Sequence, residues 1–179
     1  MELRRYGPRL AAETTVRGSE TEARSKGFRR LAGYIFGANT NAGGASREIA
    51  MTAPVEQAAG PPAAGRKVAM TAPVAQERAG QDAWTIRFFL PRELTLANAP
   101  RPRDPAIRLV ELPAETAAVL RFSGIPGAEA VGRHGEMLLA ALAGSAWRPA
   151  GPVVAWFYDP PWTLPWLRRN EVAVPVEQR

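Results

Sequence analysis

Apolar positions along this chain recur in two rhythms, and each rhythm predicts a kind of element. Between Ser19 and Gly37 the spacing is helical: Phe28, Leu31, Ala32 and Ile35 share one stripe, and Arg24 lies one turn before Phe28. Ser19 with Glu22 three positions on forms a capping-box pattern, in which each side chain accepts the other's free backbone N–H, and Gly37 marks the stop. A second helix is expected from about Ala128 to Ala143, with Val131, Leu138, Ala141 and Leu142 on its stripe and Gly144 closing it. His134 falls on that stripe. Gly27, Gly33, Gly132 and Gly135 weaken both helices, so tertiary packing must hold them.

Much of the remainder reads as short β-type runs. Strands are expected over 10–16, 47–55, 68–76, 84–90, 107–112, 115–122, 153–158 and 171–176, bounded by Gly, Pro or Asn. Two repetitions organise them. Ala12-Glu13-Thr14-Thr15-Val16 is echoed by Ala114-Glu115-Thr116-Ala117-Ala118-Val119, and each copy precedes a helix and further strands. A strand–helix–strands unit used twice buries its apolar sheet face against its own copy, giving one pseudo-two-fold domain over 1–179 with halves of about 1–98 and 105–179. The second repetition is tighter. Ile49-Ala50-Met51-Thr52-Ala53-Pro54-Val55 returns as Val68-Ala69-Met70-Thr71-Ala72-Pro73-Val74, with Gly60-Pro61-Pro62 between, and reads as the two arms of a hairpin. Proline ends regular pairing in each arm.

Composition narrows the function classes. With 179 residues, 46% of them apolar, the chain can bury a core without staples, and with no Cys it has no disulfides, thiolate metal site or Cys nucleophile. One histidine excludes a multi-histidine metal site and disfavours a Ser-His-Asp triad. No apolar run approaches the roughly 18 residues of a membrane span, and a cytoplasmic globular protein is expected. The net charge of +6 favours anionic partners, but the basic residues come in twos and threes without a nucleic-acid-binding signature, so no nucleic acid is expected.

The candidate chemistry is thin. Met51 and Met70 carry polarizable thioethers that fill core gaps or mould to flat ligands. Residues 158–171 hold Tyr158, Trp162, Trp166 and three prolines, too broken for a helix and suited to walling a pocket, with Arg168 and Arg169 placed to meet carboxylates. Any haem iron coordinated by imidazole would have to use His134. Glu111 and Glu115 lie on adjacent strands without a base or metal signature, and no phosphate-cradling loop is present.

Four segments carry a resemblance. Tyr34-Ile35-Phe36-Gly37 with Asn39, then Ile49 to Val55, then Phe88-Phe89-Leu90-Pro91, then Tyr158-Asp159-Pro160-Pro161 through Arg168-Arg169-Asn170-Glu171-Val172 resemble the SOUL haem-binding protein family, in order and over nearly the whole chain. The resemblance implies an α+β fold: a distorted antiparallel β-barrel of two pseudo-symmetric strand–helix–strands halves, with two helices packed on it. It also implies non-covalent binding of haem or a related tetrapyrrole, for buffering, transport or delivery rather than catalysis. The implied groove takes Arg24, Phe28, Leu31 and Ala32 from the first helix and Trp162 and Trp166 from the loop; on residue chemistry, Met51 and Met70 are further candidate ring contacts and His134, in the other helix, is a possible axial ligand. Lysines that some members carry are Gly33 and Thr163 here, so Arg24, Arg29 or Arg30 stand in for them. Two other readings compete. One is a small-molecule effector-binding or hydrolytic module of the related barrel type, which expects a carboxylate such as Glu111, Glu115 or Glu171 in a cleft with a raised pKa. The other is an interaction protein anchored by the loop tryptophans. The sequence leaves the oligomeric state open.

Overall fold

The computed structural model describes residues 1–51, 54–59, 83–159 and 162–179. In chain order the elements are β1 (Glu2–Tyr6), β2 (Arg9–Arg17), α1 (Glu20–Ile35), β3 (Asn39–Thr40), β4 (Val55–Ala59), β5 (Ala83–Phe89), β6 (Arg101–Pro102), β7 (Ile107–Leu112), β8 (Glu115–Phe122), α2 (Ala128–Ala143), β9 (Trp147–Pro149), β10 (Val154–Phe157), a 3-10 turn over Pro165–Leu167, and β11 (Asn170–Gln178). An antiparallel sheet runs β1-β8-β11-β10-β4-β5-β2-β7, with β9 paired beside β11 and a small β3-β6 ribbon apart. The fold is α+β. Helix α1 packs on β2 and β5 toward one end of the sheet order, and α2 on β8, β9 and β11 toward the other.

Both helices start and stop for local reasons. At α1 the Ser19 hydroxyl accepts from the Glu22 N–H and the Glu22 carboxylate accepts from the Ser19 N–H, closing the capping box. Gly37, at φ +111°, turns the chain out of the helix in a conformation that side chains avoid. Leu31, Tyr34 and Ile35 then pack on Ile86 and Phe88 of β5 and Leu10 and Ala12 of β2. Leu138 and Leu142 of α2 pack on Ala118 and Phe122 of β8 and Val172, Val174 and Val176 of β11. Gly132 lies on the exposed side of α2 with nothing near the place of a Cβ. Gly132→Ala should therefore stabilise the protein by about 0.5–1 kcal/mol, the helix-propensity gain undiminished by a clash, read as a rise in urea midpoint at unchanged m-value.

Both helices lie on one face of the sheet. Pairing registers carry that face from Ala12 through Phe88, Val55 and Phe157 to Asn170 and Phe122. The opposite face curls in on itself. Arg9 of β2 pairs with Glu115 of β8, five strands away along the sheet, about 24 Å if it were flat. Ala117, Val119, Trp156 and Ala173 form the apolar part of this inner face. Central strands are thus buried on both sides, which is why β11 reads almost continuously apolar from Val172 to Val176.

The expected strand over 47–55 is corrected. Residues 46–51 form no ladder, and β4 begins only at Val55. Buried Asn39 takes the place of a partner strand: its side-chain amide donates to the carbonyls of Tyr34 and Arg47, and its oxygen accepts from the Arg47 N–H. The Ile49 N–H then donates to Ile35 O at the end of α1. The second hairpin arm, 68–74 with Met70, lies outside the described residues. Strands β1 and β9 are additions that the hydrophobic rhythm did not indicate.

Candidate functional site

Two features of this scaffold could meet a ligand, one on each face of the sheet. On the helix face, the start of α1 meets the C-terminal aromatic loop. Arg24 donates to Pro126 O at 2.9 Å and sits 4.7 Å above the ring of Phe157, and Gly124 N–H donates to Pro165 O within the loop. The side-chain amide of Asn170 donates to Gly124 O, so β11 fixes the same corner. The loop's apolar side chains are left in solvent: Trp162 is 82% and Trp166 69% exposed, and Leu164, Leu167 and the neighbouring Ile125 are exposed as well. Phe28, packed edge-on to Phe88, is 37% exposed. A concentration of this kind marks a contact surface.

The electrostatics at this corner suit an anion. Burial pulls the Arg24 guanidinium below its ordinary value; Glu20 counters this, and the nearby charge of Arg168 adds to it. Two guanidinium groups that repel each other beside an apolar surface would both gain from a carboxylate placed between them. Arg168 Nε is steadied by Thr163 O at 2.7 Å. Arg30 is directed elsewhere, to Asp104 and Thr14, and Arg29 donates to Ser25 O of its own helix.

The other expected positions are more scattered. Leu31 is fully buried beneath the helix and Ala32 packs at the edge of the same core. Met51 is exposed and follows the segment bound to Ile35, the far end of α1, about 16 Å along the axis from Arg24. Met70 lies outside the described residues. His134 stacks on Phe122 at 4.2 Å, and its Nδ1 lies 2.7 Å from Ala130 O, which in the neutral ring puts the proton on Nδ1 and leaves Nε2 as the unprotonated nitrogen. Both interactions lie within the α2–β8 half. No cluster of three or more metal-ligating side chains occurs among the described residues.

The inner face holds what the sequence did not disclose. One row of cross-strand neighbours runs Arg108, Glu13, Arg87, Glu56, Trp156, Glu171 and Arg121, over seven strands. The charges alternate and bind one another. Glu13 accepts from Arg87 at 2.8 Å and Arg108 at 2.9 Å, and Glu56 accepts from Arg87 at 2.6 Å and the Trp156 indole at 3.0 Å. Glu171, fully buried, accepts from Arg4, Arg169 and the Tyr158 hydroxyl. Burial alone would push its carboxyl up, but these donors outweigh burial and hold it below the usual carboxylate range. Burial pushes Glu115 up, with Arg9 opposing, while Glu111 is exposed. Beyond the end of the row, β1 and the ends of β8 and β10 border an open cleft of about 540 Å³.

A family model described as SOUL heme-binding protein matches residues 1–175. No curated protein sequence matches the chain. Among solved structures, the C-terminal domain of EcmrR superposes with a TM-score of 0.67 at 11% identity, covering 99% of this chain and 97% of that one. A hydrolase from Listeria innocua gives 0.55 at 13% identity, over 98% and 91% of the two chains. SAV2435, solved with tetraphenylphosphonium, gives 0.51 at 12% identity, over 98% and 93%. At these identities the likeness is one of fold. No helix among the described residues is long and apolar enough to cross a membrane.

Proposed function

Because this chain belongs to the SOUL haem-binding protein family, we propose that it binds haem or a related tetrapyrrole non-covalently, at the corner where α1 meets the aromatic loop. One observation carries the choice of site: Trp162, Leu164, Trp166 and Leu167 stand exposed in a loop whose Pro165 O accepts from the Gly124 N–H, and Arg24 of α1 donates to Pro126 O of that same 124–126 segment, with Arg168 near enough to act on its charge. The residues fit the ligand. A planar apolar macrocycle is covered by Phe28, Trp162 and Trp166, and its two propionate carboxylates meet the guanidinium groups of Arg24 and Arg168. Leu31 and Ala32 support this surface from beneath, and Met51 extends the exposed apolar side chains toward the far end of α1.

The haem iron would supply whatever redox or ligand chemistry the complex has; the protein's part is to bind and orient the ring. His134 would act as an axial ligand only through Nε2, since Nδ1 is engaged with Ala130 O. Buffering or delivery fits such a surface better than turnover, because an exposed patch neither encloses the ring nor excludes water.

A hemin titration followed at the Soret band tests the proposal. A saturable shift with one equivalent is expected. Phe28→Ala and Trp166→Ala should each weaken binding roughly ten- to hundredfold, the loss of about 1.5–3 kcal/mol of apolar contact. Iron-free protoporphyrin should bind the same surface. Absence of a saturable shift with either compound at micromolar concentration would refute the reading. A Soret position altered by His134→Ala would assign the axial ligand, and an unaltered one would remove His134 from the site.

A further inference from the structure

The cleft on the inner face lies away from the tetrapyrrole surface. Strand alternation separates them: Phe157, under Arg24, points to the helix side, while its neighbours Trp156 and Tyr158 line the cleft. The walls are set by interactions that need no ligand. Tyr6 meets Trp156 edge-on at 5.6 Å, the Trp156 N–H is satisfied by Glu56, and Arg9 lies between the rings of Tyr6 and Phe89. Arg169 lies 4.2 Å over the ring of Tyr158. The result is a solvent-open cleft of about 540 Å³ in which the rings of Tyr6, Trp156 and Tyr158 lie among charged side chains.

Its charge decides what it would take. The carboxylates in reach are all bound: Glu171 by Arg4, Arg169 and Tyr158, Glu115 by Arg9, Glu56 by Arg87 and the Trp156 indole, and Glu2 by Arg4. Among the described residues that line the cleft, four are arginines (Arg4, Arg9, Arg121 and Arg169) and one is a carboxylate, Glu2, so the lining itself is positive. Arg121 embodies that positive charge. It ends the cross-strand row opposite Glu171, lines the cleft, is exposed, and forms no ion pair among the described residues. A lipophilic cation would meet no unclaimed carboxylate here. We propose that this cleft is a second ligand site, selective for a small aromatic carboxylate whose ring lies against Tyr6, Trp156 and Tyr158 and whose anionic group is bound by Arg121.

Isothermal titration of the full chain with 1-naphthoate at fixed ionic strength tests this independently of tetrapyrrole binding. One-to-one binding is expected, weakened at least about tenfold by Arg121→Glu and less by Arg121→Gln. Trp166→Ala, which should impair the hemin surface, is expected to leave naphthoate binding unchanged. Tetraphenylphosphonium should not compete. The proposal is overturned by no saturable heat up to about 1 mM naphthoate, a concentration that detects even weak sites, by binding indifferent to both Arg121 substitutions, by loss of binding in Trp166→Ala, or by tetraphenylphosphonium displacing the naphthoate. Arg121 is an exposed strand-end side chain, so its variants should fold, and an unchanged circular dichroism spectrum checks that they do.

Discussion

Replacing Glu171 by Gln is expected to destabilise the protein by about 3 kcal/mol, which for a chain of this size lowers the melting temperature by roughly 6–12 °C. The carboxylate is fully buried and is the common acceptor for Arg4, Arg169 and Tyr158. Removing its charge leaves two guanidinium groups facing each other around a neutral amide. The value is set at the lower end of the range for breaking a buried ion pair because the Arg169 side chain is 39% exposed, so water screens part of its charge. The pH dependence has a definite sign. The folded-state pKa lies below the ordinary 4.5, so the carboxylate's contribution is complete above that value and is lost as pH falls through the folded-state pKa. Wild-type stability should therefore decline on the acid side of about pH 4.5 more steeply than that of Glu171→Gln. Urea titrations across pH 2.5–7 measure both, and parallel profiles would show that the cluster contributes no charge-dependent stability.

Gly27→Ala is the second large effect, opposite in sign to what helix propensity predicts. Alanine in place of a mid-helix glycine ordinarily gains about 1 kcal/mol. Here the added Cβ would stand 2.4 Å from Cγ1 and 2.9 Å from Cβ of Ile86, which is itself fully buried under α1. Either α1 lifts from the sheet or Ile86 leaves its rotamer, and overpacking of this kind costs about 1–3 kcal/mol beyond the propensity gain. A net loss of about 1–2 kcal/mol is expected. The mechanism is checked by a double-mutant cycle: Ile86→Ala, costly in the wild type, should cost less in the Gly27→Ala background, and simple additivity would reject the clash. Because Phe28 follows Gly27 directly, a lifted helix should also weaken hemin binding.

The local rules written in the chain carried a long way. Ser19 with Glu22, the two helices, and the short β-type runs of β2, β5, β7, β8, β10 and β11 depend on residues near one another in sequence, and the structure forms these elements, although Phe28 and Ala141 of the expected stripes are exposed and Ala23, Gly27 and Gly135 are buried in their place. Three residues within the segments that carry the family resemblance serve the fold. Tyr34 is buried, donates to Pro100 O, and has its hydroxyl pushed up to about 12 by that burial. Asn39 ties the end of α1 to residue 47, and Glu171 gathers its three donors. The aromatic loop could be found from composition alone, since prolines and tryptophans that neither a helix nor a ladder can absorb must lie at a surface.

Other features depend on which strands become neighbours, and nothing local encodes that. Strand β1, Glu-Leu-Arg-Arg-Tyr, shows no apolar rhythm because Glu2, Arg4 and Tyr6 face a charged cleft instead of an oily core. Glu13 and Glu171 look like ordinary solvent-facing positions of alternating strands. They are buried because the sheet curls until Arg9 reaches Glu115, closing the inner face over them. The row from Arg108 to Arg121 draws its members from seven strands, and a shift of one residue in any register would turn part of it to the other face. The sequence by itself determined the elements and the family, because helix stripes, caps and period-two runs are short-range. Only the tertiary structure decided which charges are spent on one another and that Arg121 is left to meet a ligand, because charge pairing across a curled sheet depends on distances between residues as far apart in the chain as Arg4 and Glu171.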